Sequence, residues 1–254
     1  MSARAKKALG QHFLVDENIL GVIERLAALS LDDVVLEIGP GRGILTRFLA
    51  EHVAFVHAVE IDRSLEQYLP TSGTVRLHWG DALELDLAAL DPPPRKLIAN
   101  LPYNVATPIV VESLGGLLTI EQWCVMVQRE VADRFFASPR TKAYGAVSVL
   151  VQLATERTGW HPVTREVFRP RPNVDSALVA FRRTPLPRDW PVVKRIVEGG
   201  FAHRRKTLPN SLVLSGVTSR ERAEEALRAV GKKVDTRAEA LEPAEFVTLT
   251  EALE

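Results

Sequence analysis

The chain is short of the features that mark disulfide-stapled, membrane-spanning or strongly basic proteins. Only one of its 254 residues is a cysteine, Cys124, which excludes an internal disulfide and any metal site built from several cysteines. No apolar run reaches the roughly 18 residues of a membrane span, and no apolar signal core follows the N-terminus. We therefore expect a cytoplasmic protein that holds no metal and contacts no membrane.

Net charge is also absent, because lysine plus arginine and aspartate plus glutamate each number 32. Taken alone, this balance disfavours a nucleic-acid binder, for which a basic excess is expected. Cys124 lies in an apolar run, Gln122–Gln128, and is expected to be a small core residue.

Short runs rich in valine and isoleucine alternate with longer amphipathic segments, which predicts βαβ units and a mostly parallel sheet. The predicted strands are Val34–Gly39, Phe55–Ile61, Val75–Trp79, Lys96–Ala99, Trp123–Gln128, Val147–Thr155 and Ser176–Arg183. The predicted helices between the early strands are Asn18–Leu29, Ile44–Glu51, Arg63–Leu69 and Pro108–Leu117.

The character of the chain changes after the last predicted strand. Thr184–Pro187 resembles a linker, and the segments that follow have helical patterns: Val192–Ala202, Arg220–Val230 and Pro243–Leu253. We therefore predict an α/β domain over 1–184 and a small all-helical domain over 185–254.

A glycine-rich turn joins the first strand of this pattern to a helix. Its sequence is Gly39-Pro-Gly-Arg-Gly43, and glycines at such a turn let the backbone approach a ligand closely. Glu60 ends the next strand, 21 residues after Gly39, and Asp81 ends the third. A tight turn without a ligand is the alternative, but recurring carboxylates at one sheet edge favour a ribose and adenine site.

The same edge is acidic, because Glu37 precedes the glycine turn and joins Glu60 and Asp81. Such a rim would repel the pyrophosphate of a dinucleotide, and the sequence has no G-x-x-x-x-G-K-[ST] triphosphate motif. A cofactor with an adenosine and a positive charge fits better. S-adenosylmethionine, a sulfonium, has both.

The fourth strand ends in Asn100-Leu-Pro-Tyr103, a turn suited to methylating an adenine amine. The Asn100 side-chain oxygen and the Leu101 carbonyl can accept the two amine hydrogens and stabilise the developing positive charge. Pro102 stiffens the turn, and the Tyr103 ring offers a face on which an extruded base can stack. A turn holding a core tyrosine is the alternative interpretation.

The motifs together resemble those of the ribosomal RNA adenine N6,N6-dimethyltransferases of the KsgA type, over nearly the whole chain. The resemblance rests on Leu9–Leu14, Glu37–Gly43, Glu60–Asp62, Gly80–Asp81, Asn100–Tyr103, Val167–Ser176 and His203–Leu208. It implies a Rossmann-like class I methyltransferase fold with a seven-stranded sheet. It also implies dimethylation of two adjacent adenosines near the 3′ end of small-subunit (16S) rRNA, in the small subunit or its precursor, by a monomer.

The resemblance further implies individual roles. His12 and Leu14 would close over the methionine end of S-adenosylmethionine, although members of this family more often have asparagine at the position of His12. Phe168 would stack on the second face of the target base. The remaining cofactor contacts would come from Gly39, Gly41, Glu60, Ile61, Asp81, Ala82 and Asn100.

The zero net charge hides two unlike regions. Residues 157–206 hold twelve basic and four acidic residues, a net charge of +8, so the rest of the chain carries −8. Arginine suits phosphate recognition because its planar fork matches the phosphate oxygens. The predicted RNA contacts in this stretch are Arg169, Arg171, Arg204, Arg205 and Lys206. A solvated basic surface is the alternative.

Three other functions compete with this interpretation. A macrolide-resistance methyltransferase would act on large-subunit (23S) rRNA, whereas His203–Leu208 looks more like the small-subunit group. A nucleic-acid-binding factor that has lost catalysis would not need an intact Asn100–Tyr103 turn. An NAD-dependent dehydrogenase would need a catalytic histidine or a Tyr/Lys pair, and neither is evident.

Overall fold

A seven-stranded sheet is the main β structure in the computed structural model of the chain, which describes residues 11–70 and 72–254. Its strands, in chain order, are β2 (Val34–Ile38), β3 (Phe55–Glu60), β4 (Val75–Trp79), β5 (Lys96–Asn100), β6 (Gln122–Gln128), β7 (Thr155–Val163) and β9 (Ser176–Arg183). They lie in the order β4-β3-β2-β5-β6-β9-β7. The pairs from β4 to β6 are parallel and β6–β9 is antiparallel, which confirms the predicted mostly parallel sheet.

The parallel register brings the predicted site residues to one edge of the sheet. Ile38 pairs with Val59, Glu60 with Trp79, and Asn100 with Met126. The turns that follow β2, β3, β4 and β5 therefore all leave the sheet at the carboxyl ends of the strands, where open α/β sheets bind ligands.

Nine helices are assigned within the described residues. They are α1 (Asn18–Ala27), α2 (Ile44–His52), α3 (Ala106–Gly116), α4 (Arg129–Phe135), α5 (Ala146–Ala154), α6 (Trp190–Ala202), α7 (Leu208–Leu214), α8 (Arg220–Ala229) and α9 (Pro243–Leu253). The predicted helix Arg63–Leu69 is a 3-10 helix, Arg63–Tyr68, whose N-terminus is capped by the Asp62 side chain. In the part of the chain that is described, no helix has both the length and the apolar character needed to cross a membrane.

A short antiparallel pair fixes the segment that precedes α1. Strand β1 (Phe13–Leu14) pairs with β8 (Phe168–Arg169), with Leu14 opposite Phe168. Both of these side chains are buried in a hydrophobic cluster with Ile19 and Ile23 of α1. Leu9 and Gly10 of the predicted N-terminal motif lie outside the described residues.

One predicted strand, Val147–Thr155, is wrong. Its apolar run forms helix α5, and β7 begins only at Thr155. Burial explains the error, because a helix that is buried on most sides shows no helical period and looks like a buried strand. The start of α5 is marked by a capping contact. The Ser148 hydroxyl accepts the Gly145 N–H at 3.1 Å and donates to the Arg134 carbonyl at 2.6 Å.

The chain divides into two compact units, and the division differs from the predicted domains 1–184 and 185–254. Of the described residues, one unit comprises 11–70, 72–132 and Arg157–Arg183, and the other comprises Asp133–Glu156 and Thr184–Glu254. The prediction placed Asp133–Glu156 in the first domain, but α5 packs against α6 and α9. The prediction missed this because it assigned α5 to the sheet as a strand.

Candidate active site

A cavity opens at the carboxyl ends of β2 to β5, within the first unit. The space between its walls is about 920 Å³ with the open mouth included. Eleven predicted site residues line it: His12, Gly39, Gly41, Glu60, Ile61, Asp81, Ala82, Asn100, Leu101, Pro102 and Tyr103. The other lining residues were not predicted: Gln11, Phe13, Ile38, Val59, Gly80, Asn104, Val105 and Ile109.

The glycine turn has the conformation and the tight packing that its sequence predicts. Gly39 and Gly41 have φ of +74° and +60°, which L side chains rarely adopt. A Cβ on Gly41 would lie 2.9 Å from the Phe13 ring, and one on Gly39 would lie 3.2 Å from the Pro102 ring. The two glycines therefore let the main chain pass beneath β1 and against the turn after β5.

Glu60 is oriented by main-chain donors at the end of β3. Its two carboxylate oxygens accept the N–H of Gly41 at 3.1 Å and the N–H of Asp62 at 2.9 Å. Burial raises the pKa of Glu60, and these hydrogen bonds oppose the shift. Because a carboxylate can accept about four hydrogen bonds, Glu60 keeps acceptor capacity for a ligand's hydroxyl.

Asp81 is placed in a similar way at the end of β4. Its Oδ1 accepts the N–H of Leu83 at 2.9 Å, which fixes the carboxylate at the cavity wall. The second oxygen, Oδ2, is then available as an acceptor for a base amine.

Glu37, the third acid of the predicted rim, is not at the rim. Only 1% of it is exposed, and burial raises the pKa of its carboxyl to about 8. Glu60 repels the charged form as well, while Thr46 and Arg47 oppose the shift. Oε2 of Glu37 and the Thr46 hydroxyl lack a well-aligned hydrogen-bond partner among the described residues. Burial therefore favours the neutral form of Glu37, and the carboxyl groups that line the cavity are those of Glu60 and Asp81.

The side chain of Asn100 is anchored by the main chain of the segment over the cavity. Its Nδ2 donates to the His12 carbonyl at 3.0 Å. With the amide nitrogen engaged there, Oδ1 is directed away from His12 as an acceptor. The His12 ring is itself held, because Nδ1 lies 2.8 Å from the Pro170 carbonyl.

Tyr103 is also held in place. Its hydroxyl lies 2.6 Å from the hydroxyl of Ser176, which is fully buried at the start of β9. Burial raises the pKa of Tyr103, so the phenol stays neutral. Its ring centroid is 5.2 Å from that of His12, at an interplanar angle of 31°. The ring is therefore held at its hydroxyl and packs against the tilted ring of His12.

Two predicted site residues are not at the cavity. Phe168 is fully buried in the hydrophobic cluster, so its ring presents no face to a base, and the predicted stacking role does not fit its position. Leu14 is 5% exposed in the same cluster. The physical reason is the β1–β8 pair, which turns both side chains inward against α1.

The sequence alone did not identify a set of contacts that fasten the segment over the glycine turn. The guanidinium of Arg42 lies 4.9 Å from the centroid of the Phe13 ring, on which it stacks, and Gln11 donates to Asp62 at 3.2 Å. Such contacts are hard to predict because they join residues far apart in sequence without a periodic pattern. The only signal was the arginine within the glycine turn.

The predicted RNA-binding arginines are exposed, and several make contacts within the chain. Arg171 pairs with Glu166, and Arg169 donates to the carbonyls of Glu166 and Phe168. In the second unit, Arg204 donates to the Tyr144 carbonyl at 2.9 Å. Arg204, Arg205 and Lys206 line a surface depression. No cluster of three or more metal-ligating side chains occurs in residues 11–70 and 72–254.

The family is decided by comparison of the whole chain with known proteins. The family model described as ribosomal RNA adenine dimethylase matches residues 2–254. The chain belongs to the ribosomal RNA adenine dimethylase family. The resemblance inferred from the motifs is thereby confirmed.

Individual relatives agree with the family assignment. The ribosomal RNA small subunit methyltransferase A of Rubrobacter xylanophilus is 49% identical, covering 97% of this chain and 94% of the relative. The protein of the same name in Lactiplantibacillus plantarum is 42% identical, covering 98% of this chain and 90% of the relative.

Solved structures show the same fold. A dimethyladenosine transferase from Plasmodium falciparum has a TM-score of 0.77 at 22% identity, covering 94% of this chain and 96% of that one. The 23S rRNA methyltransferase ErmE has a TM-score of 0.62 at 30% identity, covering 95% and 99%. The predicted class I methyltransferase fold is confirmed.

Proposed function

We propose that the protein transfers methyl groups from S-adenosylmethionine to N6 of adenosines in small-subunit ribosomal RNA. The proposed targets are two adjacent adenosines near the 3′ end, methylated in the cytoplasm by a monomer, in the small subunit or its precursor. One observation carries the proposal. The Asn100–Tyr103 turn, anchored through His12 and Ser176, adjoins the cavity whose carboxylates are Glu60 and Asp81.

The cavity fits S-adenosylmethionine chemically. Glu60 would hold the ribose hydroxyls and Asp81, through Oδ2, the adenine amine. Gly39 and Gly41 would line the methionine end, because their backbone forms part of the cavity wall. Two carboxylates suit a cofactor with a net positive centre and would repel a pyrophosphate. The bound cofactor supplies a methyl group on a sulfonium, which an amine nitrogen can displace.

The Asn100–Tyr103 turn would prepare the target amine. An adenine amine is a poor nucleophile because its lone pair is delocalised into the ring. Oδ1 of Asn100 and the Leu101 carbonyl would each accept one amine hydrogen, which favours a tetrahedral nitrogen and stabilises its developing positive charge. Because the His12 carbonyl already holds Nδ2 of Asn100, the acceptor is oriented before the substrate arrives. Tyr103 would stack on the extruded base.

Relatives favour the small-subunit target over the large-subunit one. Relatives that are 42–49% identical are named small subunit methyltransferases, whereas the 23S rRNA methyltransferase ErmE is 30% identical. The basic residues 169, 171 and 204–206 would contact RNA phosphates. Binding should then weaken steeply as salt rises.

The proposal is tested by incubating the purified protein and S-adenosylmethionine with small-subunit particles and, separately, large-subunit RNA. Two methyl groups remove both amine hydrogens of an adenosine, so primer extension should stop at each dimethylated site. We expect stops at two adjacent adenosines of the small-subunit RNA only. Stops only in the large-subunit RNA would instead support the macrolide-resistance activity, and transfer to neither would refute the proposal.

A second test replaces Asn100 by alanine. The N100A variant should lose methyl transfer by several orders of magnitude, which is more than one hydrogen bond of about 1–3 kcal/mol explains, because the acceptor is lost at a charge-developing centre. Calorimetry should show cofactor binding close to that of the wild type. Equal losses of binding and transfer would mean that Asn100 is mainly structural.

A further inference from the structure

An exposed tryptophan and an arginine form a stacked pair at the same sheet edge as the proposed active site. Trp160, near the end of β7, is 36% exposed, a large fraction for the largest apolar side chain. The guanidinium carbon of Arg129 lies 5.8 Å from the centroid of the Trp160 indole. Arg129 is exposed and is the first residue after β6.

This pair is close to Tyr103 through a short chain of contacts. The Tyr103 hydroxyl meets the Ser176 hydroxyl at 2.6 Å, and Ser176 pairs with Gln128 across β9 and β6. The next residue, Arg129, donates its N–H to the Asp175 carbonyl at 3.0 Å. Arg129 therefore lies one residue beyond Gln128, which pairs with the Ser176 that holds Tyr103. Trp160 lies on β7, which is next to β9 in the sheet.

The turn beside the pair is polar and carries charges of both signs. The main-chain N–H of Arg165 approaches the Asp175 carboxylate at 3.3 Å, so a second exposed arginine adjoins the same turn. Aromatic rings and guanidinium planes are the groups on which single-stranded bases stack, and the arginine charge attracts the phosphates. An apolar protein partner suits this surface less well, because it would offer no negative charge to the Arg129 guanidinium that lies over the Trp160 ring.

We propose that Arg129 and Trp160 form a stacking platform for an unpaired nucleotide that flanks the target adenosine. The platform rests on the proposed function, because it supposes an RNA substrate whose target base reaches Tyr103. A flanking base held there would keep the strand unstacked at the point where the target must leave it. Such a contact is indifferent to base identity, because every base has a π face.

The test measures the affinity of the full-length protein for a fluorescently labelled 12-nucleotide single-stranded RNA of mixed sequence and for the same RNA as a duplex. In the W160A variant, affinity for the single strand should fall about 5- to 150-fold, the equivalent of one stacked base. Affinity for the duplex should stay at the wild-type value, because paired bases are not available to the platform. The W160F variant should retain most of the single-strand affinity.

The chain offers a matched control for the arginine. Arg63 lies 5.3 Å from the Trp79 ring centroid, but beside β4, which is the outer strand on the other side of the sheet from β7. The R129A variant should weaken single-strand binding, and R63A should not. Unchanged single-strand affinity in W160A, or equal losses for single strand and duplex, would overturn the platform.

The same measurements separate failure of the platform from failure of the proposed function. If the wild type methylates small-subunit RNA but W160A binds the single strand normally, only the platform is wrong. If the wild type methylates no RNA, the proposed function is wrong, and the binding measurements still decide whether the platform exists.

Discussion

Replacing Glu37 by glutamine should change how the stability of the protein depends on pH. Glu37 is buried beneath the glycine turn, and the pKa of its carboxyl is raised from 4.5 to about 8. Between those values the native state keeps a proton that the unfolded chain releases. The stabilisation is therefore complete below about pH 4.5 and is lost as the pH rises toward about 8.

The magnitude follows from the size of this shift. Each pH unit in the window removes about 1.4 kcal/mol of the free energy of unfolding, so going from pH 5 to pH 7 removes about 3 kcal/mol at most. The amide of the E37Q variant does not titrate. The difference in unfolding free energy between E37Q and the wild type should therefore grow in favour of E37Q by about 1.4 kcal/mol per unit.

The assay is urea unfolding without cofactor, in half-unit steps from pH 5 to pH 8.5. Glutamine also changes the local packing, but that offset does not depend on pH, so the slope is the quantity to compare. Glu84 is exposed near the same sheet edge, and E84Q is the control that removes a carboxyl without altering burial. A slope for E37Q equal to that of the wild type would refute the argument that Glu37 is buried in its neutral form.

Three further predictions concern the site and its support. Glu60→Ala should weaken S-adenosylmethionine binding measured by calorimetry, because the ribose acceptors are lost; an unchanged dissociation constant would remove Glu60 from the site. Ser176→Ala and Tyr103→Phe both remove the hydrogen bond between the two hydroxyls, so each should slow methyl transfer. The double variant should be no slower than the slower single variant, and additive losses would contradict a shared role. His57 and His78 share a hydrogen bond of 2.9 Å, and burial lowers the pKa of each, so stability should fall as the pH drops below about 6.5. His78→Gln keeps a donor for His57 and should reduce that acid loss in urea unfolding; an unchanged acid loss would contradict it.

Much of the sheet and of the cofactor edge could be predicted because each depends on local chemistry. The glycine turn, Glu60 and Asp81 follow three consecutive strands, and parallel strands bring such turns to one edge whatever the rest of the chain does. The Asn100–Tyr103 turn was located for the same reason. Its anchoring by the His12 carbonyl and by Ser176 was not predicted, because neither partner is near it in sequence.

The errors have a common physical origin in long-range packing. Phe168 was predicted to face a base because its motif suggested it, but its strand pairs with β1 and turns the ring inward. Glu37 was counted with the acidic rim because it precedes the turn, yet β2 is a central strand that is buried on both faces, so the side chain lies in the interior. The strand predicted in place of α5 failed because burial removed the helical period.

The contact between Asn100 and residue 12 does not depend on the side chain at that position. The group that receives the Asn100 amide is the carbonyl of the main chain, which every amino acid carries. A point substitution at residue 12 therefore preserves the contact, whereas a one-residue insertion between His12 and Phe13, where β1 begins, would displace the carbonyl and misdirect Asn100. The orientation of the catalytic amide is therefore set by the length of the preceding segment and not by the side chain of residue 12.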